Sequence, residues 1–168
     1  IRAYGNTDAA FAGKITGQSA TVLKILDGPA FLLFTGDWSE FRGTYNSDTG
    51  RTIFNTGGIV LMKGAIANGN GLRFLNDTLV LGSDGISAGT DFRIGTDGTG
   101  NTHNNLDGQL TLAGTDSHSI TLDSSRYIYI ATANSVFTVD TSKYDPSQKA
   151  FTDTGIDITI NTSIRPPT

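Results

Sequence analysis

Phe11 to Phe54 reads FAGKITGQSATVLKILDGPAFLLFTGDWSEFRGTYNSDTGRTIF. Four apolar runs (Thr21–Leu26, Ala30–Phe34, Glu40–Tyr45 and Arg51–Phe54) are cut every ~8–10 residues by Gly, Asp, Asn and Ser, the spacing of short strands joined by tight turns. AFLLFT, between Pro29 and Gly36, is continuous rather than alternating. It is too short for a helix and fits a strand covered on both faces. In EFRGTYN, Phe41, Gly43 and Tyr45 fall on one face of a strand, and Glu40, Arg42 and Thr44 on the other.

The same pattern continues outward from this stretch. Ile59–Lys63, Leu72–Leu75, Thr78–Leu81, Gln109–Leu112, Ser119–Leu122, Tyr127–Ala131, Val136–Val139 and Ile156–Ile160 read as strands. LGSDG at Leu81–Gly85 recurs as IGTDG at Ile94–Gly98, and both read as turns. The polar segments ISAGTDFR and TGNTHNN read as loops. Asp140–Thr154 is charged, contains Pro146 and reads as the longest loop, while 164–168 reads as a tail or linker. No window carries a 3.6-residue period. One all-β domain over 1–168, with about fourteen or fifteen short strands, is expected.

Composition narrows the function. Of 168 residues, 37% are hydrophobic and 21 are Gly, and only 17% are charged against a typical ~25%. The surface is therefore polar but sparsely charged. The net charge of −4 with no basic cluster argues against nucleic acid, and no apolar run is long enough to span a bilayer as a helix. The absence of Cys excludes a disulfide framework and thiol chemistry. The chain opens at Ile1 and is expected to be a mature or trimmed product. Few Lys and many Thr and Asn point to an extracellular or particle surface.

FAGKITGQSATVLKILDGPAFLLFTGDWSEFRGTYN resembles the passenger-domain repeats of bacterial autotransporter adhesins. The matching residues are Phe11, Gly13, Ile15, Gly17, Lys24, Gly28, Gly36, Asp37, Ser39, Phe41, Gly43 and Tyr45. The resemblance implies a right-handed parallel β-solenoid at the cell surface. In such a fold each repeat is unable to bury its inner face alone, and stacking supplies the core. A β-sandwich or jelly roll shares the composition and turn spacing and remains the alternative.

The candidate chemistry is sparse. His103 and His118 sit in polar turns, and without a G-x-S-x-G elbow or converging partners they read as exposed turn residues rather than catalytic groups. The 16 acidic residues lie mostly in turns, where Asp is favoured by the backbone, so no glycosidase pair stands out and no enzyme is expected. No cofactor is expected; calcium at the GSDG- and GTDG-type turns would use Asp84, Asp97 and Asp107. Asn76 and Asn161 open glycosylation sequons. Trp38, Tyr45, Tyr127 and Tyr129 are the candidate ligand or partner surface. The candidate assembly strands carry Ile1 and Tyr4 at one end and Ile156, Ile158 and Ile160 at the other. The expected function is a non-enzymatic structural or adhesive surface protein that associates with copies of itself through strand edges. The alternatives are a pilin-like subunit polymerising by donor-strand addition and a trimeric phage tail-fibre module binding surface glycan.

Overall fold

The computed structural model describes residues 9–25, 31–47, 51–67, 71–96 and 105–167. Ile1, Tyr4, Asp97 and His103 lie outside the described residues. The described chain is all-β, without a helix. Its strands begin with β1 (Ala9–Phe11), β2 (Thr16–Gly17), β3 (Val22–Ile25), β4 (Phe31–Phe34), β5 (Glu40–Phe41) and β6 (Thr44–Ser47). Next come β7 (Arg51–Phe54), β8 (Ile59–Ala67), β9 (Leu72–Phe74), β10 (Asn76–Ala88), β11 (Phe92–Ile94) and β12 (Gln109–Gly114). The last are β13 (His118–Leu122), β14 (Tyr127–Ile130), β15 (Val136–Asp145), β16 (Ala150–Gly155), β17 (Ile158–Asn161) and β18 (Ser163–Arg165).

Strand order follows chain order. A seven-stranded sheet runs β1-β4-β7-β9-β11-β14-β18. A nine-stranded sheet runs from β3 through β6, β8, β10 and β12 to β15 and β16, with β13 and β17 continuing from the second half of β10. β2 and β5 form a short third ladder. Among the described strands every ladder is parallel except the β15–β16 hairpin. Phe31 pairs with Arg51, Thr52 with Leu72 and Leu72 with Phe92, a constant step of 20 residues. We use "tier" for the strands that share one position along these ladders.

This register explains the core. Phe11, Phe34, Phe54, Phe74 and Ile94 pair in sequence, so one inward position is occupied by an aromatic ring in four successive tiers. Phe34 and Phe54 stack at 5.5 Å, and Phe54 and Phe74 at 5.2 Å. Inward residues of the second sheet (Tyr45, Ala65, Ile86, Ile120) close the same cluster from the other side. Each buried ring removes roughly 150–250 Å² from water, making this column a dominant hydrophobic contribution.

Five readings of the chain order are corrected. EFRGTYN is two strands with a corner at Gly43, where a Cβ would lie 2.3 Å from the Thr21 carbonyl oxygen. LGSDG is not a free turn. It lies inside β10, where the register shifts between Leu81 and Gly85, and Gly85 has φ +60°. ISAGTDFR is not a loop, because Ile86, Ala88, Thr90, Phe92 and Ile94 alternate inward and are buried, while Ser87, Asp91 and Arg93 give it its polar look. Asp140–Thr154 is not a long loop. It continues β15 and turns back through β16 as an antiparallel hairpin. Of the supposed tail, Ile164 and Arg165 belong to β18 and pair with β14.

Candidate functional site

Two of the four aromatic residues expected at a binding surface are core residues. Trp38 and Tyr45 are wholly buried. Trp38 packs edge-on against Phe34 at 4.8 Å and Phe54 at 5.1 Å, and bridges to Val60 of the next tier. Tyr45 shares its hydroxyl with that of Thr52, and burial raises its pKa. GDWS has turn composition, but removing the Trp ring from water outweighs it. Tyr127 and Tyr129 do face outward, half-buried, while Ile128 is buried and Ile130 packs on the core. The Arg165 guanidinium lies 3.5 Å from the Tyr127 ring centroid, and that of Arg93 lies 5.1 Å from Tyr129. Arg93 is also paired with Asp91 at 3.0 Å. Part of this face is therefore covered from within the chain, by Arg93 and Arg165.

The remaining candidates are dispersed. Asp84 pairs with Lys63 at 3.0 Å, and Asp107 accepts from Thr132 Oγ1 at 2.6 Å. Among the described residues no group of three His, Cys, Asp or Glu side chains converges. His118 is not an exposed turn residue. It opens β13 and is buried, with Nδ1 3.0 Å from the Asp116 carbonyl and Nε2 without a hydrogen-bond partner. Burial lowers its pKa against the opposing pull of that carbonyl. Asn76 and Asn161 are exposed. Ile158 and Ile160 pack on the core from β17, which pairs with β13 on one side, and Ile156 directly follows β16.

What sequence reasoning missed is the hairpin. Its first strand shifts register in the β12 ladder between Val139 and Lys143, and Tyr144 beyond it packs over the outer side of earlier tiers. Tyr144 lies on Leu61, Val80 and Ala113, the outward residues of three successive strands, and forms with them a second small apolar cluster. Lys143 reaches Asp116 at 3.6 Å, and Lys149 at the hairpin turn reaches Glu40 at 3.7 Å. Glu40 is held more tightly by Lys14 at 2.6 Å, whose hydrogen bond lowers the Glu40 pKa. The turn is closed by Asp145, which accepts from the Ser147 amide and hydroxyl and is lowered in pKa by these bonds. A signal did exist: IVLM and LVL are apolar on both faces, and a doubly apolar strand needs a cover on each side.

Between hairpin and sheet runs an open groove of about 740 Å³. The sheet side presents Arg42, Lys63, Ser83 and Asp116 from successive tiers; the hairpin side presents Lys143, Thr152 and Thr154. Its floor contains Leu61, Met62 and Tyr144, all buried. Comparison of the chain with family models, with curated proteins and with solved structures returned no match.

Proposed function

We propose that the chain is a non-enzymatic structural and adhesive module of an extracellular surface, built as a right-handed parallel β-solenoid that joins copies of itself end to end. Support for the solenoid comes from the parallel ladders in chain order and from the 20-residue step shared by β4, β7, β9 and β11, which a Greek-key sandwich of antiparallel strands would not produce. The right hand is the one that parallel crossovers take. The low charge and the abundance of Thr and Asn support the surface location.

One observation carries the self-association. Five of the seven exposed large apolar side chains among the described residues lie in the first and last tiers, Phe11 and Val22 at one end and Val136, Val139 and Ile164 at the other; the remaining two are Leu106 and, in the hairpin, Phe151. Val22 is 61% and Ile164 49% exposed. Within the stack such side chains are covered by the next strand; at the ends, among the described residues, β1, β3, β17 and β18 each offer a parallel edge along with them. Both edges run in the same direction, so the contact is head to tail. A heterologous contact that does not close on itself gives a filament.

Negative-stain electron microscopy and sedimentation velocity test this reading on the wild-type chain and on Val22→Lys and Ile164→Lys. Filaments that both substitutions abolish, with unchanged circular dichroism, are expected. Monomers at all concentrations, or filaments that survive both substitutions, overturn it.

A further inference from the structure

We infer that the groove beside the β15–β16 hairpin binds a linear acidic glycan laid along the stacking direction. This deepens the adhesive side of the function proposed above; it rests on the surface location and not on end-to-end joining.

Length comes first. From Ser19 through Arg42, Lys63 and Ser83 to Asp116, the groove crosses four inter-strand steps, which is about 19 Å. It is open along its side, so it suits an extended chain rather than a compact ligand.

The floor excludes other occupants. Leu61, Met62 and Tyr144 are at most 3% exposed, so no apolar anchor pocket awaits a peptide side chain and no aromatic platform awaits a base. On the hairpin side Thr152 and Thr154, alternate residues of β16, line the groove, and the Thr152 hydroxyl donates to the Lys143 carbonyl at 3.2 Å. The groove therefore offers hydroxyls and charges, the partners a hydrated polyhydroxylated chain uses.

Charge then sets the acidic character: the cations Arg42, Lys63 and Lys143 outnumber the lining carboxylates of Asp116 and Asp145, and Asp145 already accepts from the Ser147 amide and hydroxyl. Lys63 and Lys143 are paired with the exposed carboxylates of Asp84 and Asp116, contacts that exchange at little cost. Arg42 has no carboxylate within ion-pair distance among the described residues. A guanidinium fork fits a carboxylate with two parallel hydrogen bonds. The Lys63 amide donates to the Gly43 carbonyl at 2.8 Å, which places Lys63 one strand step from Arg42. A glycan with one carboxylate per sugar presents its charges at a comparable repeat.

The test titrates tetragalacturonate into the Val22→Lys protein and follows amide shifts and heat. That background keeps the result independent of filament formation, so failure here and failure of the stacking reading are separately visible. Saturable binding, weakened roughly tenfold by the loss of one charged hydrogen-bonding partner in Arg42→Ala and abolished by Ser83→Trp, is expected. Arg42 and Ser83 are exposed, and unchanged melting of both variants confirms that folding is intact. Three outcomes overturn the inference: no saturable binding, equal affinity for neutral galactotetraose or an acidic tetrapeptide, or binding indifferent to Arg42→Ala.

Discussion

Tyr144→Ala should free the hairpin without unfolding the sheets. Tyr144 is buried on Leu61, Val80 and Ala113 and meets Phe151 edge-on at 5.2 Å. Truncating a buried aromatic residue costs about 3–5 kcal/mol, and the lower figure applies here because half-exposed Phe151 has room to settle into the gap. Beyond the Gly114–Lys143 pairing at its base, the other side-chain ties of the hairpin to the sheets are exposed ion pairs at 3.6 and 3.7 Å, each worth about 0–1 kcal/mol. Tyr144 thus supplies most of the docking energy. The sheets beneath are held by parallel ladders that the hairpin does not provide. A loss of about 3 kcal/mol raises the open fraction of the hairpin about 100-fold, so amides of 142–155 should exchange with deuterium faster by that factor. Amides of 72–94 should keep their protection, and Tyr144→Phe should behave like wild type. Mass spectrometry of peptic fragments reads both regions in one experiment. Joint loss of protection in hairpin and sheets, or unchanged exchange of the hairpin in Tyr144→Ala, would refute the reasoning.

Phe54→Ala should act on the whole molecule instead, because Phe54 stacks between Phe34 and Phe74 and also touches Trp38 and Tyr45. A loss of about 3–5 kcal/mol in urea denaturation is expected, with the slope unchanged. His118 should make stability depend on pH. Its folded pKa lies below the ordinary value near 6.5, so its contribution is complete above that value and is lost as pH falls through the folded pKa. His118→Gln should shrink the difference in melting temperature between pH 7.5 and 5.5. Comparing the variant with wild type cancels the opposite contribution of buried Asp77, whose pKa is raised by desolvation. An undiminished difference in His118→Gln would assign the dependence elsewhere.

The strands were legible where one face was apolar and the punctuation was Gly or Asp, as in TVLKI and RTIF. They were illegible where outward residues were polar enough to mimic a loop. Ile86 to Ile94 keeps strict alternation but carries Ser87, Asp91 and Arg93 between its buried residues. AFLLFT announced a strand covered on both sides, and Phe31, Leu32 and Phe34 are all buried. Trp38 was misplaced because local composition describes a turn, and Tyr45 because alternation marks a face without saying that the face is the core; tier-to-tier pairing decides which side chains the core receives. The groove was out of reach for a different reason. Arg42, Lys63, Ser83 and Asp116 come together only through register between strands some 20 residues apart, and Thr152 only through a hairpin whose charged sequence conceals its single anchoring Tyr.

The crossing of tiers by the hairpin has a mechanical consequence. Ladder hydrogen bonds point along the stacking direction, so tension applied that way opens one ladder at a time, at low force. The hairpin spans the same tiers from the outside, tied to Glu40 at its turn and to Ala113 and Asp116 near its base. Under the same tension it bears load in shear, as a splint does, and several tiers must yield together before it slips. A stack of tiers pulled along its length gains toughness from this one short antiparallel element.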